Sequence, residues 1–192
     1  MGYYPQNLFR LVTRQKWKNL EQELRFRVNR INTTDSEYRN QSNGVLLFNR
    51  YQDGDNLYYL GIRVDGGVVI KKKKDGVYHT LAYRQLLDTD STTYSHENNP
   101  SLLPLQQWIA IKSEVKNNVN GSVLFKLYVD LNGTGEWQQV LQAIDDGVRF
   151  GGSAFSNEGY AGIRTDFMDV VFDNYRLSRI RGTTGLFREQ KV

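Results

Sequence analysis

Residues 44–83 hold four apolar-rich runs, GVLLFNRY, LYYLGIRV, VVIKKKK and VYHTLAY, separated only by tight-turn signals. The separators are QDGDN at residues 52–56, Asp65-Gly66-Gly67 and Asp75-Gly76. Short runs rich in Val, Ile, Leu and Tyr, joined by Asp-Gly and Gly-Gly, specify a meander of antiparallel strands. The runs are too short between breakers for helices, which need ten or more residues at a 3.6-residue period.

The same pattern extends along the chain. Residues 7–13 read as a first strand. Residues 19–31 alternate cleanly, with Leu20, Gln22, Leu24, Phe26 and Val28 against Glu21, Glu23, Arg25, Arg27 and Asn29. That is a half-buried strand with a charged outer face. Residues 108–116, 123–130 and 137–142 supply three more, with Asn120-Gly121 as the clearest turn signal. Residues 84–104 form a long polar excursion, a feature that in compact domains is commonly functional. Residues 159–177, GYAGIRTDFMDVVFDNYRL, are expected to lie inside a sheet rather than at its rim. There Met168, Val170, Phe172 and Asn174 should share one side, with Asp169, Val171, Asp173 and Tyr175 on the other. About ten or more short strands without a helix predict an all-β fold, a two-sheet antiparallel β-sandwich. The chain of 192 residues suffices for one such domain. Residues 1–180 are assigned to the sandwich and 181–192 to a basic C-terminal tail.

Composition removes several chemistries. The chain has no cysteine, hence no disulfide, thiol nucleophile or thiolate metal site. No apolar run reaches membrane-spanning length, and no membrane partner is expected. The net charge of +4 is a mild bias towards anionic partners. The start, MGYYPQNLFR, lacks the basic and apolar regions of a signal peptide. The expectation is a secreted or cell-surface domain cut from a larger multidomain protein, its signal peptide absent from this sequence. Four Asn-x-Ser/Thr sites occur, at Asn32, Asn40, Asn120 and Asn132.

In order and spacing, several motifs resemble the concanavalin A-like lectin/glucanase superfamily, in its laminin-G-like and glycan-domain branch. They are Trp17 ahead of ELRFRV, the strands from GVLLFNRY to YHTLAY, then WIAIKSEVK, LFKLYVD and GYAG…VVFDNYRL. The signals within them are Asn56-Leu57-Tyr58-Tyr59, Trp108, Tyr128-Val129-Asp130 and Phe172-Asp173-Asn174, and the likeness spans residues 7–180. It implies a jelly roll with one convex and one concave sheet, the concave one commonly forming a groove for a polysaccharide or oligosaccharide. Fold and activity separate, so the chemistry must come from the residues.

A glycoside hydrolase needs two carboxylates across the scissile bond. The superfamily's retaining glucanases place theirs as Glu-x-Asp-x-x-Glu. Asp166, Asp169 and Asp173 match neither that spacing nor its glutamates, and read as structural. A lyase acting on a uronic-acid glycan needs a base and cations at the carboxylate. Lys112-Ser113-Glu114-Val115-Lys116 is similar to the Arg-Ser/Thr-Glu-Leu/Val-Arg strand of alginate lyases, with Lys in place of both Arg. The candidate catalytic set is His79 or Tyr78 as base, with Lys112 and Lys116. Lys does not replace Arg in bidentate carboxylate recognition, and the family's other lyase motifs are missing. Non-catalytic glycan binding is therefore the leading reading, by aromatic stacking and Lys/Arg contacts on the concave sheet, with a non-sugar interaction sandwich as a further alternative. Its candidate ligand residues are Arg25, Arg27, Arg63, Trp108, Glu114 and Lys126. A structural calcium ion is considered at Asp53, Asp55 and Asn56, and at Asp130 and Asn132, as oxygen-rich turns. The run Lys71–Lys74 should split between strand faces, and no nucleic-acid motif accompanies it.

Overall fold

The computed structural model describes residues 7–87 and 92–180. Eleven strands run in order: β1 (Leu8–Trp17), β2 (Leu20–Ile31), β3 (Gly44–Tyr51), β4 (Leu57–Arg63), β5 (Gly67–Lys74), β6 (Val77–Gln85), β7 (Trp108–Asn117), β8 (Val123–Asp130), β9 (Gln138–Asp145), β10 (Gly159–Asp166) and β11 (Met168–Arg179). A six-stranded sheet has the order β1-β10-β3-β4-β5-β6, and a five-stranded sheet the order β11-β2-β7-β8-β9. Every neighbouring pair is antiparallel.

The sequence periods explain the layers. On β2, Leu20, Gln22, Leu24, Phe26 and Val28 face inward, and the charged residues between them face out. They pack between the sheets with Leu47, Tyr58, Leu60, Ile62 and Ile70 of the larger sheet and Ile109, Ile111, Phe125 and Leu127 of the smaller. The β5–β6 hairpin closes through Asp75 at φ 49° and Gly76 at φ 82°. Two successive positive φ values match the twist of paired strands, which is why Asp-Gly sits there.

Two expectations are corrected. Residues 159–177 do not form one strand. They form β10, inside the larger sheet, and β11, at the rim of the smaller one. The chain changes sheet at Phe167, which takes φ 54° and leaves its ring buried. Alternation also breaks within β11, where a register shift between Asp173 and Arg176 accompanies φ 51° at Asn174. Tyr175 thereby turns inward and its hydroxyl donates to Gln22 Oε1 at 3.0 Å. The tail assigned to residues 181–192 lies outside the described residues.

Inside the sandwich sits an ion pair. Lys72 Nζ is 2.8 Å from Asp145 Oδ2, and both side chains are wholly buried. Lys72 also donates to the carbonyls of Gly152 and Ser153, and the Tyr58 hydroxyl donates to Asp145 at 2.6 Å. Buried charges persist only when paired and hydrogen-bonded, as these are. The Lys71–Lys74 run therefore does split between faces, with Lys72 inside the molecule.

Candidate functional site

The outward face of the six-stranded sheet is recessed. Leu46, Phe48, Tyr59 and Val69 project away from the core, yet each is 8% exposed or less. Among the described residues no third layer of strands or helices covers them. Their neighbours and the edge strands shield them. Glycine makes this close approach possible: at Gly61, an outward position of β4, an added Cβ would lie 2.2 Å from the Val45 carbonyl oxygen.

Two cavities open on this face. One, of about 450 Å³, is lined by Gln41, Arg63, Asp65, Tyr83, Gln85 and Tyr94, among others. The second, of about 320 Å³, is lined by Tyr38, Asn43, Tyr59, Lys71, Tyr78, Arg164 and Asp166, among others. Each holds an Arg-x-Asp pair, in which residues two apart point to one side of an extended chain. Arg63 Nη2 lies 2.5 Å from Asp65 Oδ2. Arg164 grips Asp166 through Nε at 3.1 Å from both carboxylate oxygens and through Nη2 at 3.0 Å from Oδ1. Each pair has a tyrosine nearby. The Arg63 guanidinium stands 5.3 Å from the centre of the Tyr83 ring. Tyr78 packs edge-on against Tyr59 at 6.0 Å, with the Lys71 and Lys73 ammonium groups 5.9 and 5.1 Å from its ring centre.

Burial shapes the electrostatics. Desolvation holds Asp166 above the ordinary carboxylate range, although Arg164 and Arg10 pull it down. Desolvation raises the Tyr59 hydroxyl, and the Tyr78 hydroxyl nearby adds to it. Lys71 is held below the usual lysine value, first by burial and then by the like charge of Arg63, with Asp65 acting in the opposite sense. No carboxylate among the described residues is within ion-pair distance of Lys71. The recess thus offers fixed donor–acceptor pairs, tyrosine rings and, in Lys71, a cation that makes no ion pair among the described residues. Such a set recognises hydroxyl-rich ligands and can accept an anionic substituent.

The residues singled out from sequence fall on three surfaces. Tyr78 and Arg63 are in the recess. His79 is not: it is paired across the strands with the inward Lys72, and its Nε2 lies 2.6 Å from where a Cβ on Gly151 would stand. Strand alternation puts it on the opposite side of β6 from Tyr78. Arg25, Arg27, Trp108, Lys112, Glu114, Lys116 and Lys126 all project outward from the five-stranded sheet, on the other side of the molecule. There Arg25 and Arg27 stand 4.8 and 5.2 Å from the Trp108 ring centre. Lys112 stands 4.8 Å from Tyr128 and 4.7 Å from Trp137. Tyr128 is pushed up to about 12 by burial and by its hydrogen bond to Glu114. Neither histidine nor tyrosine of β6 therefore meets Lys112 and Lys116.

The turn holding Asp53, Asp55 and Asn56 spends its oxygens on the protein's own donors. Asp53 accepts from the Asp55 amide and from Asn56 Nδ2. Lys73 Nζ sits 2.7 Å from Asp55 Oδ1 and 2.9 Å from the Gly54 carbonyl. An ammonium group at that point does not fit a divalent cation on the same ligands. Asp130 accepts from the amides of Asn132 and Gly135, as a turn cap does. Of the three aspartates weighed for hydrolysis, Asp166 lies in the recess, while Asp169 and Asp173 are outward on β11.

Lys71, Asp65, Arg164 and Asp166 were not read as site residues from sequence. The signal available was the repeated Arg-x-Asp at 63–65 and 164–166, preceding the chain's exit from each strand.

No family model matches the chain, and no curated protein matches it. Solved structures do. A carbohydrate-binding module, CBM66 from Bacillus subtilis, superposes with a TM-score of 0.61 at 16% identity, covering 90% of this chain and 83% of that one. The GH43 protein BlXynB from Bacillus licheniformis gives a TM-score of 0.52 at 12% identity, covering 88% of this chain but 29% of that one. The fold is the concanavalin A-like jelly-roll sandwich that the sequence motifs resemble.

Proposed function

We propose that this chain is a carbohydrate-binding domain that holds a polysaccharide in the recess of its six-stranded sheet. The observation that carries the reading is the recess itself, in which two Arg-Asp pairs and Tyr59, Tyr78 and Tyr83 line two cavities on one sheet face. Arg-Asp pairs offer donors and acceptors side by side, which suits adjacent sugar hydroxyls. Tyrosine rings present apolar faces to the C–H side of a pyranose. The likeness in fold to a carbohydrate-binding module supports the class.

Lys71 extends the reading to acidic glycans. It is half-buried and has no carboxylate within ion-pair distance among the described residues, so a uronate carboxylate would supply the missing counter-charge. The domain acts outside the cell, as one part of a larger protein. Calorimetric titration with neutral and uronic-acid oligosaccharides tests the proposal. At least one should bind, and Tyr78→Ala should weaken it about tenfold, in line with losing a central aromatic contact. Absence of binding across the panel would refute it.

A second reading, a polysaccharide lyase, rests on Tyr78 standing beside Lys71 and Arg164, a hydroxyl next to two cations. Appearance of the unsaturated product's absorbance on incubation with uronic-acid polymers, abolished by Tyr78→Phe, would establish it. A flat trace over a broad panel leaves binding as the function.

A further inference from the structure

The outward face of the five-stranded sheet carries four cations that make no direct ion pair among the described residues. Arg25, Arg27, Lys112 and Lys116 project from the adjacent strands β2 and β7, and no carboxylate among the described residues lies within ion-pair distance of any of them. In the recess, by contrast, Arg63 and Arg164 are each ion-paired with an aspartate. Three of the four cations rest instead on aromatic rings, Arg25 and Arg27 on Trp108 and Lys112 on Tyr128 and Trp137. Arg25 Nε is buried without a hydrogen-bond partner. Stacking fixes each head group in place, so less side-chain freedom is lost when an anion arrives.

We propose that this strip is a second site, which binds the anionic groups of an acidic polysaccharide independently of the recess. Arg25 and Arg27 are two residues apart on one strand, hence about 6–7 Å apart along it, a step comparable to one charged substituent per sugar. Carboxylates interspersed on the same face argue against a denser polyanion. Glu23 lies across from Lys112 and Asp173 across from Arg25, and Glu114, across from Glu21, stands between Lys112 and Lys116 with Lys126 3.8 Å away. Duplex DNA, with a charge about every 1.7 Å, would meet these carboxylates as well as the cations. A sparsely charged chain can pass them. With two sites on opposite faces, one domain can engage two strands of a polymer or hold one long strand by avidity.

The test uses the whole chain, polygalacturonate and alginate as probes, each with one carboxylate per sugar, and affinity electrophoresis across a salt series. The parent should be retarded by at least one of the two polymers. Arg25→Gln/Arg27→Gln should reduce that retardation at least fivefold and flatten its salt dependence, and Lys112→Gln alone should reduce it in the same direction. Tyr78→Ala should leave the salt-dependent part in place. If both strip variants stay within twofold of the parent, or if the parent binds neither polymer, the second site is refuted. Tighter binding of a DNA duplex than of either polysaccharide at equal salt would refute the choice of partner. If the strip variants lose binding while Tyr78→Ala has no effect on any glycan, the strip stands and the recess falls.

Discussion

Lys71 and Lys72 are adjacent in sequence and belong to different worlds. Lys72 is wholly buried and paired with Asp145, whereas Lys71 lies in the recess. Asp145→Asn leaves an ammonium in the core without its counter-ion. Removing one partner of a buried pair costs about 3–5 kcal/mol, so urea unfolding should show a large drop in midpoint with an unchanged slope. Replacing both partners by apolar residues of similar volume should recover most of that loss; a drop below about 1 kcal/mol for Asp145→Asn would contradict the assigned role. Lys71 yields a pH prediction. Its lowered value means the ammonium is lost at lower pH than an ordinary lysine. Binding of a uronic-acid oligosaccharide should therefore be full below that value and weaken as pH rises through it. Lys71→Arg, whose guanidinium stays charged, should abolish the alkaline decline. A decline unchanged in that variant would exclude Lys71 as the anion's partner. In the sequence alternation splits the four lysines between two faces, and only the pairing of β5 with β6 and the approach of β9 show which face is inward.

At the scale of elements, most strands were legible because their turns are written in Gly, Asp and Asn. The meander from β3 to β6 follows its sequence signals closely. The exchange of sheets between β10 and β11 was not legible, because its hinge is Phe167, a bulky residue at φ 54° that no turn preference announces. Facing was equally hidden. Alternation places Lys112 and Trp108 on one side of β7, and Arg63 on one side of β4, but not which side of the molecule each occupies. That is why the candidate residues scattered over both outward faces, the inward side of β6 and the turn between β3 and β4. The recess depends on glycine at the outward positions of its strands. Gly61→Ala drives a Cβ into the Val45 carbonyl, 2.2 Å away on the neighbouring strand. Overpacking of this kind costs about 1–3 kcal/mol. Thermal unfolding should show the loss, and an unchanged midpoint would mean the strands separate there without penalty.

For the molecule as a whole, the two sheets present different faces. The six-stranded sheet turns outward Leu46, Phe48, Tyr59 and Val69 with two Arg-Asp ion pairs beside them, and the five-stranded sheet turns out a charged face. The sandwich itself was legible in the sequence, and the solved structures it resembles share it. The site was not, since fold similarity at 16% identity carries no side chains with it. The central claim is that the recess is where sugar binds, and amide chemical-shift mapping tests it most directly. On titration with a panel of neutral and uronic-acid oligosaccharides, at least one ligand should shift the amides of Tyr59, Lys71, Tyr78 and Arg164 together and saturably. Saturable shifts that leave those four residues unmoved for every ligand, or no shifts at all, would contradict it.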